Sequence, residues 1–137
     1  MILADTSVLI DYLKGTENEK TGLFQTVLDR GFAYGISSVI YLELLQGTKT
    51  ENEFQLLKEY LVSLKFYELQ GGLDSWENAA RMSFLCRRAR ITVRSTVDFV
   101  IAQIAVEHEL ELLHNDADFD RIASAVPDVR IFSLPGA

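Results

Sequence analysis

The chain opens with M-I-L-A-D-T-S-V-L-I-D-Y-L at residues 1–13, and the other predicted elements can be placed around this stretch. The apolar run Ile2–Ala4 predicts a strand that is buried on both faces, and Asp5 ends that run with a charge. Thr6 and Ser7 provide the hydroxyl side chains of a helix N-cap, and a short apolar helix is predicted directly after them. The chain therefore begins with a strand, a carboxylate and a helix.

The position of Asp5 has two interpretations. In an open parallel sheet, ligands bind beyond the carboxyl ends of the strands, so a carboxylate at a strand end faces a potential site. The alternative is that Asp5 only caps the helix that follows it. The residues around Asp5 do not decide between these two roles.

Length and composition predict one soluble globular domain, which we place at residues 1–137. Hydrophobic residues make up 48% and charged residues 24% of the sequence, which is ordinary for such a domain. The longest apolar runs, such as 99–106, are too short to span a membrane. A core strand that begins at residue 2 leaves no room for a signal peptide, and the single cysteine, Cys86, cannot form an internal disulfide. We therefore expect a cytoplasmic protein without a membrane partner.

Short apolar runs alternate with amphipathic segments along the whole chain. The apolar runs predict strands at 2–4, 32–36, 66–69, 110–113 and 129–134. The amphipathic segments predict helices at about 8–13, 17–30, 39–46, 50–64, 74–88 and 96–109. This alternation predicts an α/β fold whose central, mostly parallel five-stranded sheet carries helices on both faces.

Further carboxylates occupy positions that need an explanation. Glu43 is the only charge in an apolar helical segment, where a bare carboxylate would be costly. Asp98 lies in the first turn of a predicted helix, on the face that should point into the core, although it could instead form a capping box with Ser95. Asp116 and Asp118 follow the fourth predicted strand, where a turn and a helix cap would also account for them.

A parallel sheet would gather the four acids Asp5, Glu43, Asp98 and Asp116 at one edge, because two follow strands and two lie on helices that start near strand ends. Carboxylates this close raise one another's pKa values unless a cation is present. Oxygen ligands favour hard cations, most simply Mg²⁺, with Mn²⁺ as a substitute. Such ions lower the pKa of a bound water, which favours phosphodiester hydrolysis as the reaction.

A basic tract interrupts the acidic character of the chain. The net charge is −7, which by itself argues against a nucleic-acid partner. Nevertheless, five of the 13 basic residues fall between positions 81 and 94, just before Asp98. They are Arg81, Arg87, Arg88, Arg90 and Arg94. The tract is either a contact for nucleic-acid phosphates or a solvated helix face.

With these residues the chain resembles the PIN-domain ribonucleases, and more narrowly the VapC-type toxins of toxin–antitoxin pairs. The resemblance extends over residues 2–119, in the order that the family shows. The matching segments are Asp5-Thr6-Ser7 with 8–10, Glu43-Leu44 with Gly47, Asp98 with 101–102, and Asp116 with Asp118-Phe119. No single segment is specific, but the four in sequence are.

The resemblance implies metal-dependent endonucleolytic cleavage of RNA. It also implies a homodimer, or a complex with an antitoxin protein whose C-terminal segment blocks the site. It assigns catalytic and metal-binding roles to Asp5, Glu43, Asp98 and Asp116, metal binding also to Asp118, and a hydroxyl near the metal to Thr6 or Ser7. The chain departs from the family at His114, where a Thr or Ser often stands.

Two other functions are compatible with parts of the sequence. A phosphoaspartyl enzyme of the haloacid-dehalogenase type also begins with a strand and an Asp. It needs a second Asp two positions later, where this chain has Ser7, so that reading is disfavoured. The other is a non-catalytic PIN-fold module that binds RNA or protein, since a fold does not by itself imply activity. A nuclease assay with and without Mg²⁺ separates this module from the enzyme.

Overall fold

The computed structural model describes residues 1–135, which form an α/β fold of five strands and seven helices. The strands are β1 (Ile2–Ala4), β2 (Tyr34–Ile36), β3 (Lys65–Phe66), β4 (Glu111–Leu113) and β5 (Arg130–Ile131). The helices are α1 (Thr6–Leu13), α2 (Glu19–Asp29), α3 (Ser38–Gln46), α4 (Glu51–Leu61), α5 (Leu73–Arg88), α6 (Thr96–Glu107) and α7 (Ala117–Ala125). None of these seven helices is long and apolar enough to cross a membrane.

Strand β1 lies at the centre of the sheet, whose strand order is β3-β2-β1-β4-β5. It pairs with β2 on one side and β4 on the other, and every pair in the sheet is parallel. Its three side chains are at most 3% exposed, which confirms the predicted burial on both faces. Burying an aliphatic side chain of this size stabilises a fold by roughly 1.5–3 kcal/mol, so β1 anchors the core.

The direction of the chain reverses once as it builds the sheet. It proceeds from β1 outward through β2 to β3, and then returns past β1 to form β4 and β5. Right-handed crossovers therefore place α1–α4 on one face of the sheet and α5–α7 on the other. In agreement, α1 packs on α2 and α3, whereas α5 packs on α6 and α7. The predicted fold is confirmed, and the reversal opens a crevice between the carboxyl ends of β1 and β4.

The strands are shorter than the sequence predicts. The predicted strands 66–69 and 129–134 correspond to two-residue strands, and β2 begins at Tyr34 rather than at residue 32. The ladder continues for one further bond in each short strand, from Tyr67 N–H to the Ile36 carbonyl and from Phe132 N–H to the Leu112 carbonyl, both 2.8 Å. Beyond these bonds the chain leaves the sheet, so an apolar pattern overestimates the paired length.

Helix α7 was not among the predicted helices. Phe119, Ile122 and Ala123, with Val126 directly after the helix, have the spacing of one helical face, so the period is present in the sequence although the segment was interpreted only as a turn with a helix cap. Its N-cap is Asp116, whose side chain accepts the backbone N–H of Asp118. The turn and helix cap that the sequence offered as an alternative are therefore present at this position.

Candidate metal centre

Asp5 both caps a helix and faces the crevice. It is the N-cap of α1, so the prediction that Thr6 or Ser7 caps this helix is wrong. Its Oδ2 accepts hydrogen bonds from the Ser7 backbone N–H at 2.9 Å and from the Ser7 hydroxyl at 2.7 Å. Burial raises the pKa of Asp5 to about 6, although the bonds from Ser7 oppose that shift and the charge of Glu43 adds to it. The two roles proposed for Asp5 are therefore compatible.

Glu43 of α3 accepts a hydrogen bond from a residue of α1. It lies in the second turn of α3, half-buried, and its Oε1 accepts the Thr6 hydroxyl at 2.8 Å. This bond connects α3 with the first turn of α1, which begins directly after Asp5. The carboxylate that looked misplaced in an apolar helix is thus turned toward the end of β1.

Asp98 has a buried carboxylate oxygen that receives no hydrogen bond from the described residues. It is 8% exposed, and its Oδ2 has no hydrogen-bond partner among residues 1–135. Ser95 is the N-cap of α6 but makes no side-chain capping bond, so the capping-box interpretation is wrong. Burial raises the pKa of Asp98 to about 7, helped by the charges of nearby acids. In order of decreasing effect these acids are Asp116, Asp5, Asp118 and Glu43.

Three of the acids converge closely. One carboxylate oxygen from each of Asp98, Asp116 and Asp118 lies within 4.8 Å of the other two. An all-oxygen donor set with a buried, unpartnered Oδ2 fits a hard divalent cation, because the cation supplies the charge that Asp98 lacks. The residues present therefore fit the metal ion that the sequence implies.

Asp118 differs from its neighbours because arginines already surround it. Its side chain is 3% exposed, and Oδ1 accepts a bond from Arg121 Nη1 at 2.5 Å. Its Oδ2 lies 3.3 Å from the Arg94 backbone nitrogen and 3.8 Å from Arg94 Nε. Sequence reasoning did not identify Arg121. The signal was available as an acid–base pair three residues apart, but it has meaning only once α7 is known to be a helix.

His114 holds the turn that positions Asp116. It is 1% exposed, and its Nδ1 accepts the backbone N–H of Asp116 at 3.1 Å. Burial lowers the pKa of His114, which favours the neutral ring. Because Nδ1 is an acceptor, the neutral ring carries its proton on Nε2. This Nε2 lies 3.3 Å from Asp120 Oδ1. A histidine nitrogen thus accepts a turn bond, a role that a Thr or Ser hydroxyl could also fill.

A comparison with protein families identifies the chain's relatives. The model of the PIN domain matches residues 2–125. A VapC ribonuclease of Mycobacterium bovis and ribonuclease VapC11 of Mycobacterium tuberculosis are each 32% identical to the chain over 124 residues. These alignments cover 90% of this chain and 92% of each relative. The similarity therefore extends over nearly the full length of both proteins.

Solved structures show the same fold at lower identity. VapBC2 from Rickettsia felis, bound to a DNA fragment from its promoter, has a TM-score of 0.73 at 16% identity and covers 98% of this chain and 99% of its own. VapBC-1 from nontypeable Haemophilus influenzae has a TM-score of 0.72 at 16% identity, covering 97% and 98%. A toxin–antitoxin complex from Klebsiella pneumoniae has a TM-score of 0.69 at 18% identity, covering 98% and 100%. The chain belongs to the PIN-domain family and, within it, to the VapC ribonucleases.

Proposed function

We propose that the chain is a metal-dependent endoribonuclease that hydrolyses phosphodiester bonds in RNA. The observation that carries this proposal is the buried Oδ2 of Asp98, which has no partner among residues 1–135 and lies beside Asp116. A buried carboxylate without a partner destabilises a fold unless a cation completes it. Because every donor is a carboxylate oxygen, the ion is a hard divalent cation, and we assign it as Mg²⁺, with Mn²⁺ as a substitute.

The four predicted acids divide the work of the site. Asp98 and Asp116 would hold the ion, and Asp5 and Glu43, which lie outside the group of acids within 4.8 Å of one another, would contribute carboxylate oxygens from the side of β1. The bonds from Ser7 and Thr6 use Asp5 Oδ2 and Glu43 Oε1, so the other oxygen of each carboxylate can bind a ligand or a water. When bound, a divalent ion supplies a water of lowered pKa and neutralises charge on the scissile phosphate.

RNA is the substrate that the relatives support. The two relatives described above, from Mycobacterium bovis and Mycobacterium tuberculosis, are named ribonucleases. The alternative of a non-catalytic binding module is not favoured, because it gives no reason for the acids to converge around an unpartnered carboxylate oxygen. The function therefore depends on the site itself and not only on the fold.

We infer in addition that the chain is the toxin of a toxin–antitoxin pair, acting as a homodimer or in complex with its antitoxin. The solved complex from Klebsiella pneumoniae supports this by its description. An apolar cleft between α1, α2 and α4 is also suited to an apolar segment of a protein partner. Its lining residues are Leu9, Tyr12, Leu13, Phe24, Leu28, Tyr60 and Leu61.

A cleavage assay tests the enzymatic proposal. The purified chain should cut single-stranded RNA in the presence of Mg²⁺ or Mn²⁺ and leave duplex DNA intact. Excess EDTA should abolish cleavage, because the water of lowered pKa is supplied only with the ion. A parallel preparation of Asp98→Asn controls for contaminating nucleases. Equal cleavage by the parent with and without EDTA would contradict the proposal.

A further inference from the structure

The carboxylate of Asp118 holds two arginines that reach solvent. The side chain of Asp118 is 3% exposed, whereas those of Arg121 and Arg94 are 48% and 82% exposed. One guanidinium nitrogen of each arginine, Nη1 of Arg121 and Nε of Arg94, faces the carboxylate. A guanidinium carries five N–H donors in a fixed plane, so the remaining donors of both arginines can bind another anion.

The fold brings these arginines to the site from the loop that precedes α6 and from helix α7. Helix α5 ends where Arg90 takes a left-handed conformation with φ of 59°, and Ile91 N–H bonds the Cys86 carbonyl at 2.8 Å. The chain then returns to the site, and Arg94 meets Asp118 two residues before α6 begins. Arg121 follows Asp118 by three residues on α7, so the two side chains share one face of that helix.

The local charge balance gives the pair a function. The acids Asp5, Glu43, Asp98 and Asp116 repel a polyanion, and one bound divalent ion would offset only half of their charge. The group formed by Asp118, Arg94 and Arg121 carries a net positive charge directly beside them. Phosphates are favourable ligands for such a group, because arginine binds them with short, charge-assisted bonds.

We propose that Arg94 and Arg121, oriented by Asp118, bind an RNA phosphate next to the cleavage site. In this role Asp118 anchors the arginines, which differs from the metal-ligand role that the family resemblance implies for it. Both of its oxygens already accept from arginine, while the buried carboxylate oxygen without a partner among residues 1–135 belongs to Asp98. The inference rests on the proposed function, since it takes RNA as the polyanion.

RNA binding measured without cleavage tests the arginine pair. Fluorescence anisotropy of a labelled single-stranded RNA oligonucleotide in EDTA, repeated over a range of KCl concentrations, gives affinity and salt dependence. Arg121→Gln and Arg94→Gln should each weaken binding by roughly 3–10-fold and make the slope of log K against log salt shallower by about 0.7, the value for one phosphate contact on a single strand. Arg130→Gln is the matched control, because it removes the same charge from an exposed residue of β5. Arg130 pairs with Glu111, the first residue of β4, and therefore lies at the amino ends of the strands, away from the site at their carboxyl ends.

A second measurement separates anchoring from metal binding. Asp118→Asn removes the anchor but leaves both guanidinium charges, so RNA binding should weaken less than with Arg94→Gln and Arg121→Gln combined, and the salt dependence should stay near that of the parent. Mn²⁺ binding by titration calorimetry should stay within about twofold of the parent, in contrast to loss of Mn²⁺ binding in Asp98→Asn. Loss of Mn²⁺ binding in Asp118→Asn would show that it is a metal ligand and overturn the anchoring role. Should this buried substitution fail to fold, the exposed arginine variants still decide the phosphate contact.

Three results overturn the phosphate contact. They are absence of RNA binding by the parent, unchanged RNA affinity in both arginine variants, and an equal loss in Arg130→Gln. Unchanged RNA affinity combined with weaker binding of an acidic peptide would assign the pair to a protein partner instead. A parent that binds RNA through these arginines but never cuts it with Mn²⁺ would refute the proposed activity and leave this inference standing.

Discussion

The two sides of the candidate metal centre treat their carboxylates differently. On the β1 side, Asp5 and Glu43 each accept a bond from a hydroxyl in the first turn of α1. On the β4 side, Asp98 has a buried oxygen without a partner among residues 1–135, and Asp118 is bound by arginines. The β1 side is therefore oriented by the protein itself, whereas the β4 side keeps a buried carboxylate oxygen that, in our proposal, a cation completes.

The electrostatics follow the same division. Burial raises the pKa of both Asp5 and Asp98, to about 6 and about 7 respectively. The hydrogen bonds from Ser7 limit the shift of Asp5, whereas the other acids of the site add to the shift of Asp98. Near neutral pH the β4 side thus retains part of its protons in the absence of metal, and binding of a divalent ion should release them.

The largest expected effect on metal binding and RNA cleavage comes from a substitution on the β4 side. Asp98→Asn keeps the shape of the side chain and removes its charge, so Mn²⁺ binding should be lost and RNA cleavage should fall by more than about 100-fold. Titration calorimetry and the cleavage assay measure the two effects. Asp128→Asn, which removes a charge from an exposed residue ahead of β5, is the control and should behave like the parent. Cleavage by Asp98→Asn at the parental rate would contradict the assignment.

A smaller effect is expected from the β1 side, where a hydroxyl orients an acid. Ser7→Ala removes both the donor to Asp5 Oδ2 and the acceptor of the Asn115 backbone N–H, the latter bonded at 2.8 Å. We expect cleavage to fall by roughly 10-fold, the lower end of the range for residues that orient metal ligands. Ser63→Ala is the matched control, because its hydroxyl bonds only the Tyr60 carbonyl on the surface. No loss in Ser7→Ala, or an equal loss in Ser63→Ala, would remove the distinction between the two sides.

The smallest effect is on the stability of the metal-free protein. Because the pKa of Asp98 is raised to about 7, the folded state holds a proton between about pH 4 and 7 that the unfolded state has released. The parent therefore loses stability as the pH rises through this window, and Asp98→Asn does not share that loss. In EDTA at pH 8 the variant should therefore unfold at a higher temperature than the parent. Its free energy of unfolding should be larger by on the order of 1 kcal/mol, and this difference should vanish near pH 4.

Scanning calorimetry with EDTA and with Mg²⁺ checks this stability difference. Saturating Mg²⁺ should narrow or reverse it, because an ion that binds only the folded state stabilises the parent. If Asp98 only complemented the dipole of α6, the stability difference would have the opposite sign, because Asp98→Asn would then be less stable than the parent with or without metal. A lower melting temperature for the metal-free variant at pH 8 would therefore contradict the unpartnered state of Asp98.

The main features of the fold and the acids of the site are readable from the sequence because they depend on local patterns. A continuous apolar run identified β1, and the alternation of apolar and amphipathic segments identified the parallel sheet. Asp5, Glu43, Asp98 and Asp116 were recognisable as charges that interrupt apolar runs or follow strands. The amphipathic pattern of α7 was present as well but was not assigned to a helix, and Arg121 was missed with it.

Tertiary structure alone decided the bonds of the site that join distant parts of the chain. Thr6 and Glu43 are 37 residues apart in the chain, and Ser7 and Asn115 are 108 residues apart, so no local pattern could pair them. The sequence allowed Ser95 and Asp98 to form a capping box at the start of α6, and only the folded chain shows that the side chain of Ser95 makes no capping bond. A hydrogen bond requires two atoms within about 3 Å of each other. The sequence determines which groups are available, and the parallel pairing of β1 with β4, together with the packing of their helices, determines which of them meet.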